Sequence, residues 1–125
     1  MASETATLEG RRILVVEDDY LVAQLLVDLL EDAGATVIGP VGWIDEAVAL
    51  IEDESQKFDG AILDVNVHGK KSYPVADALA ARSVGFVFAT GYDAGVIEGK
   101  YRRYPRCEKP FSAPALVAAL CAATV

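Results

Sequence analysis

At 125 residues the chain fits one domain, since single cores occupy roughly 100 to 200 residues, and a separate output domain has no room. A formal charge of −8, from 11 basic and 19 acidic side chains, repels nucleic-acid phosphates and anionic lipid, so the steered partner is a basic protein or a cation and not nucleic acid. The apolar share of 53% suffices for a packed core. The longest uncharged run, 111–125, contains Pro114 and falls short of the roughly 18 to 20 residues of a membrane span.

Residues 1–9 hold acids and hydroxyls without an apolar core or an early basic cluster. They predict a frayed, flexible tail rather than a signal peptide, hence a cytoplasmic chain whose single domain is 10–125. Ile13–Val16 is a short apolar β-branched run suited to a strand buried on both faces, and acids end it at once. From Tyr20 to Ala33 leucines and valines recur at helical spacing, with Gly34 placed as a C-cap. Thr36–Val41 predicts a second strand. Ile44, Val48 and Ile51 mark one face of a second helix starting near Asp45 as N-cap, with Trp43 as a packing staple at its start.

Ala61–Leu63 predicts a third strand ending at Asp64, followed by a helix over Tyr73–Arg82 and a strand over Gly85–Ala89. The stretch from Asp93 to Arg103 has no clear period. Within it and just beyond, Lys100, Arg102, Arg103 and Arg106 form a basic stretch that reads as a solvated face, with a docking patch as the alternative. Tyr104–Glu108 predicts the fifth strand and Ser112–Ala123 the last helix, with Pro114 in its first turn. That helix carries no charge, whereas a helix covered on one side shows a charged outer face. A second copy or a regulator is therefore expected on the last strand and helix. Cys107 and Cys121, without a CxxC, read as small buried hydrophobes and not as a disulfide.

Five apolar strands alternating with helices imply an α/β fold with a parallel sheet covered on both faces. Ligands of such sheets sit at the carboxyl ends of the strands. The unusual polar residues fall there: Glu17, Asp18 and Asp19 after the first strand, Asp64 after the third, Thr90 after the fourth and Lys109 after the fifth. Carboxylates from two strand ends repel one another unless a hard cation such as Mg²⁺ lies between them, with Mn²⁺ as a substitute. Mg²⁺ in turn favours a phosphate oxygen in its octahedron. Lys109 supplies a point charge and Thr90 a hydroxyl for phosphoryl oxygens, which leaves Asp64 as nucleophile.

The runs VVEDD (15–19), LDVN (63–66), FATGY (88–92) and EKPF (108–111) resemble the landmarks of response-regulator receiver domains over essentially the whole chain. The resemblance implies a flavodoxin-like (βα)5 three-layer sandwich with a five-stranded parallel sheet of order 2-1-3-4-5. It implies a stand-alone phosphoacceptor signalling domain rather than an enzyme, one that catalyses its own phosphorylation and hydrolysis. Asp64 would accept the phosphoryl group from a sensor histidine kinase or a histidine phosphotransfer protein. Asp18, Asp64 and the Asn66 backbone carbonyl would bind Mg²⁺, with Glu17 acting through water, and Thr90 and Lys109 would contact the phosphoryl group. A cis Lys109–Pro110 bond is also implied. Whether phosphate is relayed, drained from a shared kinase or used to bind a partner stays open.

FATGY with the surrounding SYPVADAL (72–79) and EKPF also resembles the single-domain "FAT GUY" receivers of alphaproteobacterial general stress signalling, which carry proline where Gly85 stands. Two departures concern the switch. Arg106 occupies the position of the aromatic residue whose movement ordinarily reports phosphorylation, with Tyr104 as a partial substitute. The loop after Asp64, VNVHGKKSYP, brings His68, Lys70 and Lys71 near the site, where His68 reads as exposed and idle. Asn66 and Tyr92 flank the approach of a hydrolytic water, and a bulky Tyr92 would slow loss of phosphate. Two other classes share the architecture. A Mg²⁺-dependent aspartyl phosphatase wants an acid where Asn66 stands, and a flavin- or nucleotide-binding module wants a Gly/Ser/Thr loop where Glu17 to Asp19 would repel phosphate.

Overall fold

The computed structural model describes residues 7–91 and 97–124. Tyr92 lies outside these, as does most of the first half of the 93–103 stretch. The elements are β1 (Arg12–Val16), α1 (Tyr20–Asp32), β2 (Thr36–Val41), α2 (Ile44–Glu52), β3 (Gly60–Asp64), a short β4 (Asn66–Val67) and β5 (Lys70–Lys71), α3 (Tyr73–Ala81), β6 (Phe86–Thr90), a 3-10 turn (Gly99–Arg103), β7 (Arg106–Glu108) and α4 (Ala113–Ala123). The main sheet is parallel, ordered β2-β1-β3-β6-β7. With the separate β4-β5 hairpin set aside, that is the expected 2-1-3-4-5.

Alternation along each strand builds two cores. Leu14, Val16, Ala61, Leu63, Phe86 and Phe88 face α2 and α3, while Ile13, Val15, Ile62, Val87 and Ala89 face α1 and α4. Leu26 and Leu30 of α1 and Leu116 and Leu120 of α4 close the second core.

Five expectations need correction. Thr7 to Glu9 do not fray: Leu8 is fully buried, and its N–H donates to the Ala33 carbonyl at 3.1 Å, because the second core offers a leucine-sized apolar site beside α1. The N-cap of α2 is Trp43, not Asp45, which lies in the first turn. Among the described residues the β6–β7 crossover holds a 3-10 turn in place of a fifth α-helix. It starts on Gly99 at φ 50° and ends on Tyr104 and Pro105, and since proline donates no ladder bond the last strand begins at Arg106 rather than Tyr104. Cys107 and Cys121 are free, as expected, but only partly buried.

At Gly85 the end of a helix comes close against the sheet. A Cβ there would overlap the backbone carbonyl of Ala123 at the end of α4.

Candidate functional site

Strand register alone assembles the site. Val16 pairs with Leu63, so Glu17 falls level with Asp64, which pairs with Ala89; Thr90 and Glu108 pair one step further on, bringing Lys109 to the same edge. β3 is buried throughout, so Asp64 ends a strand that cannot shift, and it retains 9% exposure. Glu17 is 3% exposed and Thr90 9%.

Carboxylate oxygens of Glu17, Asp18 and Asp64 all lie within 4.8 Å of one another. Lys109 Nζ donates to Asp64 Oδ2 at 3.1 Å and to Glu17 Oε1 at 3.2 Å. Asp64 Oδ1 accepts the Asn66 N–H at 3.2 Å, which turns the chain sharply after β3. Burial, then the hydrogen bond with Asp64, pushes the Glu17 carboxyl up to about 8, against the pull of the Asp19 N–H and Lys109. Burial opposes the Lys109 charge, but the facing Asp64 and Glu17 outweigh it and hold the ammonium above its usual range. Asp18 is more exposed. Burial there is likewise overcome, by the His68 N–H on Asp18 Oδ2 at 2.8 Å and a hydrogen bond with Glu17, and its pKa lies below the usual value.

Asp19 stands apart from this cluster. It caps α1, accepting the N–H groups of Leu21 at 2.9 Å and Val22 at 3.2 Å. Thr90 sits at the opposite edge, its hydroxyl 3.5 Å from the Cys107 carbonyl and its own carbonyl accepting the Lys109 N–H at 2.7 Å. The Lys109–Pro110 bond is cis. Tyr104 packs on Phe86, ring centroids 4.4 Å apart, and edge-on to Phe88, while exposed Arg106 reaches back to the Arg102 carbonyl. The inward aromatic of this region is therefore Tyr104.

Two features were not legible beforehand. Ser72 is fully buried, and its hydroxyl donates to the Asp64 carbonyl at 2.6 Å while its N–H bonds the Val65 carbonyl at 2.8 Å, closing the loop after Asp64. His68 is not idle: it sits at φ 51° in the β4-β5 turn, bonds Asp18 through its backbone and stacks on Trp43 at 3.7 Å. A hydroxyl eight residues past an acidic strand end gives no local signal. The His68-Gly69 dipeptide between short β-formers does resemble a two-residue hairpin loop.

The acidic trio suits a divalent cation, since three carboxylates within reach of one point, one of them driven toward its neutral form, is the arrangement a hard cation relieves.

No family model matches the chain. The chain is similar to SdrG from Sphingomonas melonis Fr1, whose solution structure is 43% identical over 93% of this chain and 98% of that one, with a TM-score of 0.82. The BeF3-activated conformation of SdrG from Pseudomonas melonis Fr1 matches at 42% identity over 91% of this chain and 96% of that one, with a TM-score of 0.74. A curated relative, the transcriptional regulatory protein PdtaR of Mycobacterium tuberculosis, is 31% identical over 74 residues, which are 59% of this chain and 35% of PdtaR. The match thus spans about a third of that relative's length.

Proposed function

The chain belongs to the response-regulator receiver domains of two-component signalling, and from that premise we propose that Asp64 accepts a phosphoryl group from a phosphohistidine. The observation that carries this reading is Lys109 Nζ bridging Asp64 Oδ2 and Glu17 Oε1 at 3.1 and 3.2 Å, beside Asp18. In the reaction an Asp64 carboxylate oxygen forms the bond to phosphorus as the phosphorus–nitrogen bond of the donor imidazole breaks, and the imidazole keeps that electron pair and takes up a proton. Lys109 turns from Glu17 toward a phosphoryl oxygen, and the Thr90 hydroxyl donates to another.

Mg²⁺ would be held by Asp18, Asp64 and the Asn66 carbonyl, with Glu17 acting through water, and Mn²⁺ would substitute. When bound, it neutralises charge on the phosphoryl oxygens. The BeF3-activated conformation of SdrG supports the same kind of activation here. This chain covers 98% of the solved SdrG chain, and that likeness supports a protein that acts by contact with a kinase, a phosphotransfer protein or a regulator. The FATGY run supports kinship with the general stress group.

Labelling by acetyl phosphate or a phosphorylated kinase should require Mg²⁺, reach one phosphoryl group per chain and vanish in Asp64→Ala. Equal labelling of that variant would refute the assignment. The uncharged outer side of α4, where Ala115, Ala118 and Ala122 are exposed, supports a contact with a second copy or a regulator. Light scattering with and without BeF3⁻ should show a dimer if a second copy binds, and a strict monomer in both leaves the regulator alone.

A further inference from the structure

Trp43 and His68 both break a local rule, and they meet. The N-cap of a helix favours a short polar side chain that accepts an orphan N–H. Asp19 and Ser112 do so for α1 and α4, and Ser72 at α3 spends its hydroxyl on the Asp64 carbonyl instead, whereas Trp43 at α2 has no such group and leaves 52% of itself exposed. His68 holds φ 51° as the first residue of a two-residue turn that glycine or asparagine fits more easily. Residues that oppose local preference on the surface, without burial to compensate, point to function.

Their rings stack at 3.7 Å and 12°, forming one wall of a groove of about 510 Å³ between the hairpin and the start of α2. Ile44, Val67 and Pro74 line it with apolar surface, Lys70 and Lys71 stand on the hairpin side, and Asp45 closes the α2 side. We propose that this groove docks an acidic segment of a partner protein, seating one large apolar side chain against Trp43 with its carboxylates toward Lys70 and Lys71. Charge decides the occupant. In a chain of net charge −8, the groove is lined by two adjacent lysines against one acid, Asp45, a local reversal of sign that favours carboxylates. Asp45 directs those carboxylates to the hairpin side. The turn and the stack are already formed, so little ordering is needed on docking. The groove does not depend on Asp64 being the phosphoacceptor.

Trp43 is the chain's only tryptophan, so its emission reports the groove directly. The probe is a blocked pentapeptide, Glu-Glu-Phe-Leu-Glu, titrated into the full chain alongside its Lys-Lys-Phe-Leu-Lys counterpart. We expect a saturable change with the acidic peptide only, with affinity falling roughly tenfold or more in Lys70→Glu/Lys71→Glu and unchanged in Lys57→Glu, a charge reversal elsewhere on the surface. Both hairpin lysines lie outside the cores, so the double variant keeps its fold, which a melting curve verifies. Four results would overturn the proposal: no saturable change, equal binding of the basic peptide, indifference to the hairpin reversal, or an emission change that follows protein concentration and so reports a second copy. Saturation by free glutamate at the peptide's affinity would also overturn it, since the groove would then be a small-anion site.

Discussion

Glu17 shows how a single side chain ties the site to stability. Its carboxyl, pushed up to about 8, keeps a proton that the unfolded chain releases above about 4.5. The folded state therefore binds more protons than the unfolded state between those values, and stability falls as pH rises through the window. The contribution is full below pH 4.5 and gone above pH 8. In chelator, the melting temperature should decline from about pH 5 to pH 8.5, and Glu17→Gln should flatten the slope because the amide is neutral throughout. An unchanged slope in Glu17→Gln would assign the decline to other groups. The acids are legible in the sequence because each follows a short apolar strand that fixes its place, whereas Lys109 follows the polar strand Arg106–Glu108 and is legible through the EKPF run. Ser72, Trp43 and His68 are not: their roles depend on contacts across the hairpin, which no residue spacing encodes.

At the scale of elements, the central strands β1, β3 and β6 are the most legible parts, since short, mostly apolar runs leave little choice of ends. Thr36–Val41 was read with its observed bounds, and β3 and β6 within one residue. Two-residue strands show no period, so the spacing does not predict the hairpin, and the run that predicts the last strand crosses Pro105, ahead of where that strand begins. Gly85 supplies the test of how elements meet. Here α4 ends so close to the sheet that a methyl group would overlap the Ala123 carbonyl. Gly85→Ala must push α4 away from β6, and overpacking of this kind costs roughly 1 to 3 kcal/mol. Urea unfolding should show a lower midpoint at constant slope. A midpoint equal to the parent's would mean that the helix end yields freely.

For the whole molecule, two effects of added salt must be separated. A net charge of −8 repels itself, so any salt that screens it stabilises the fold, and the effect follows ionic strength alone. A cation held by Glu17, Asp18 and Asp64 acts differently, adding RT ln(1 + [L]/Kd), which reaches about 2.7 kcal/mol at a hundredfold excess over Kd. Melting curves in MgCl2 and NaCl at matched ionic strength distinguish the two. The MgCl2 series should lie above the NaCl series and keep rising with the logarithm of concentration. Asp18→Asn should remove most of the excess while leaving the NaCl series in place, because one charge in eight changes the global repulsion little but takes away a ligand. Coincident series for the parent protein would show that the acidic strand ends respond only to screening, and Lys109 would then be the one cation the site requires.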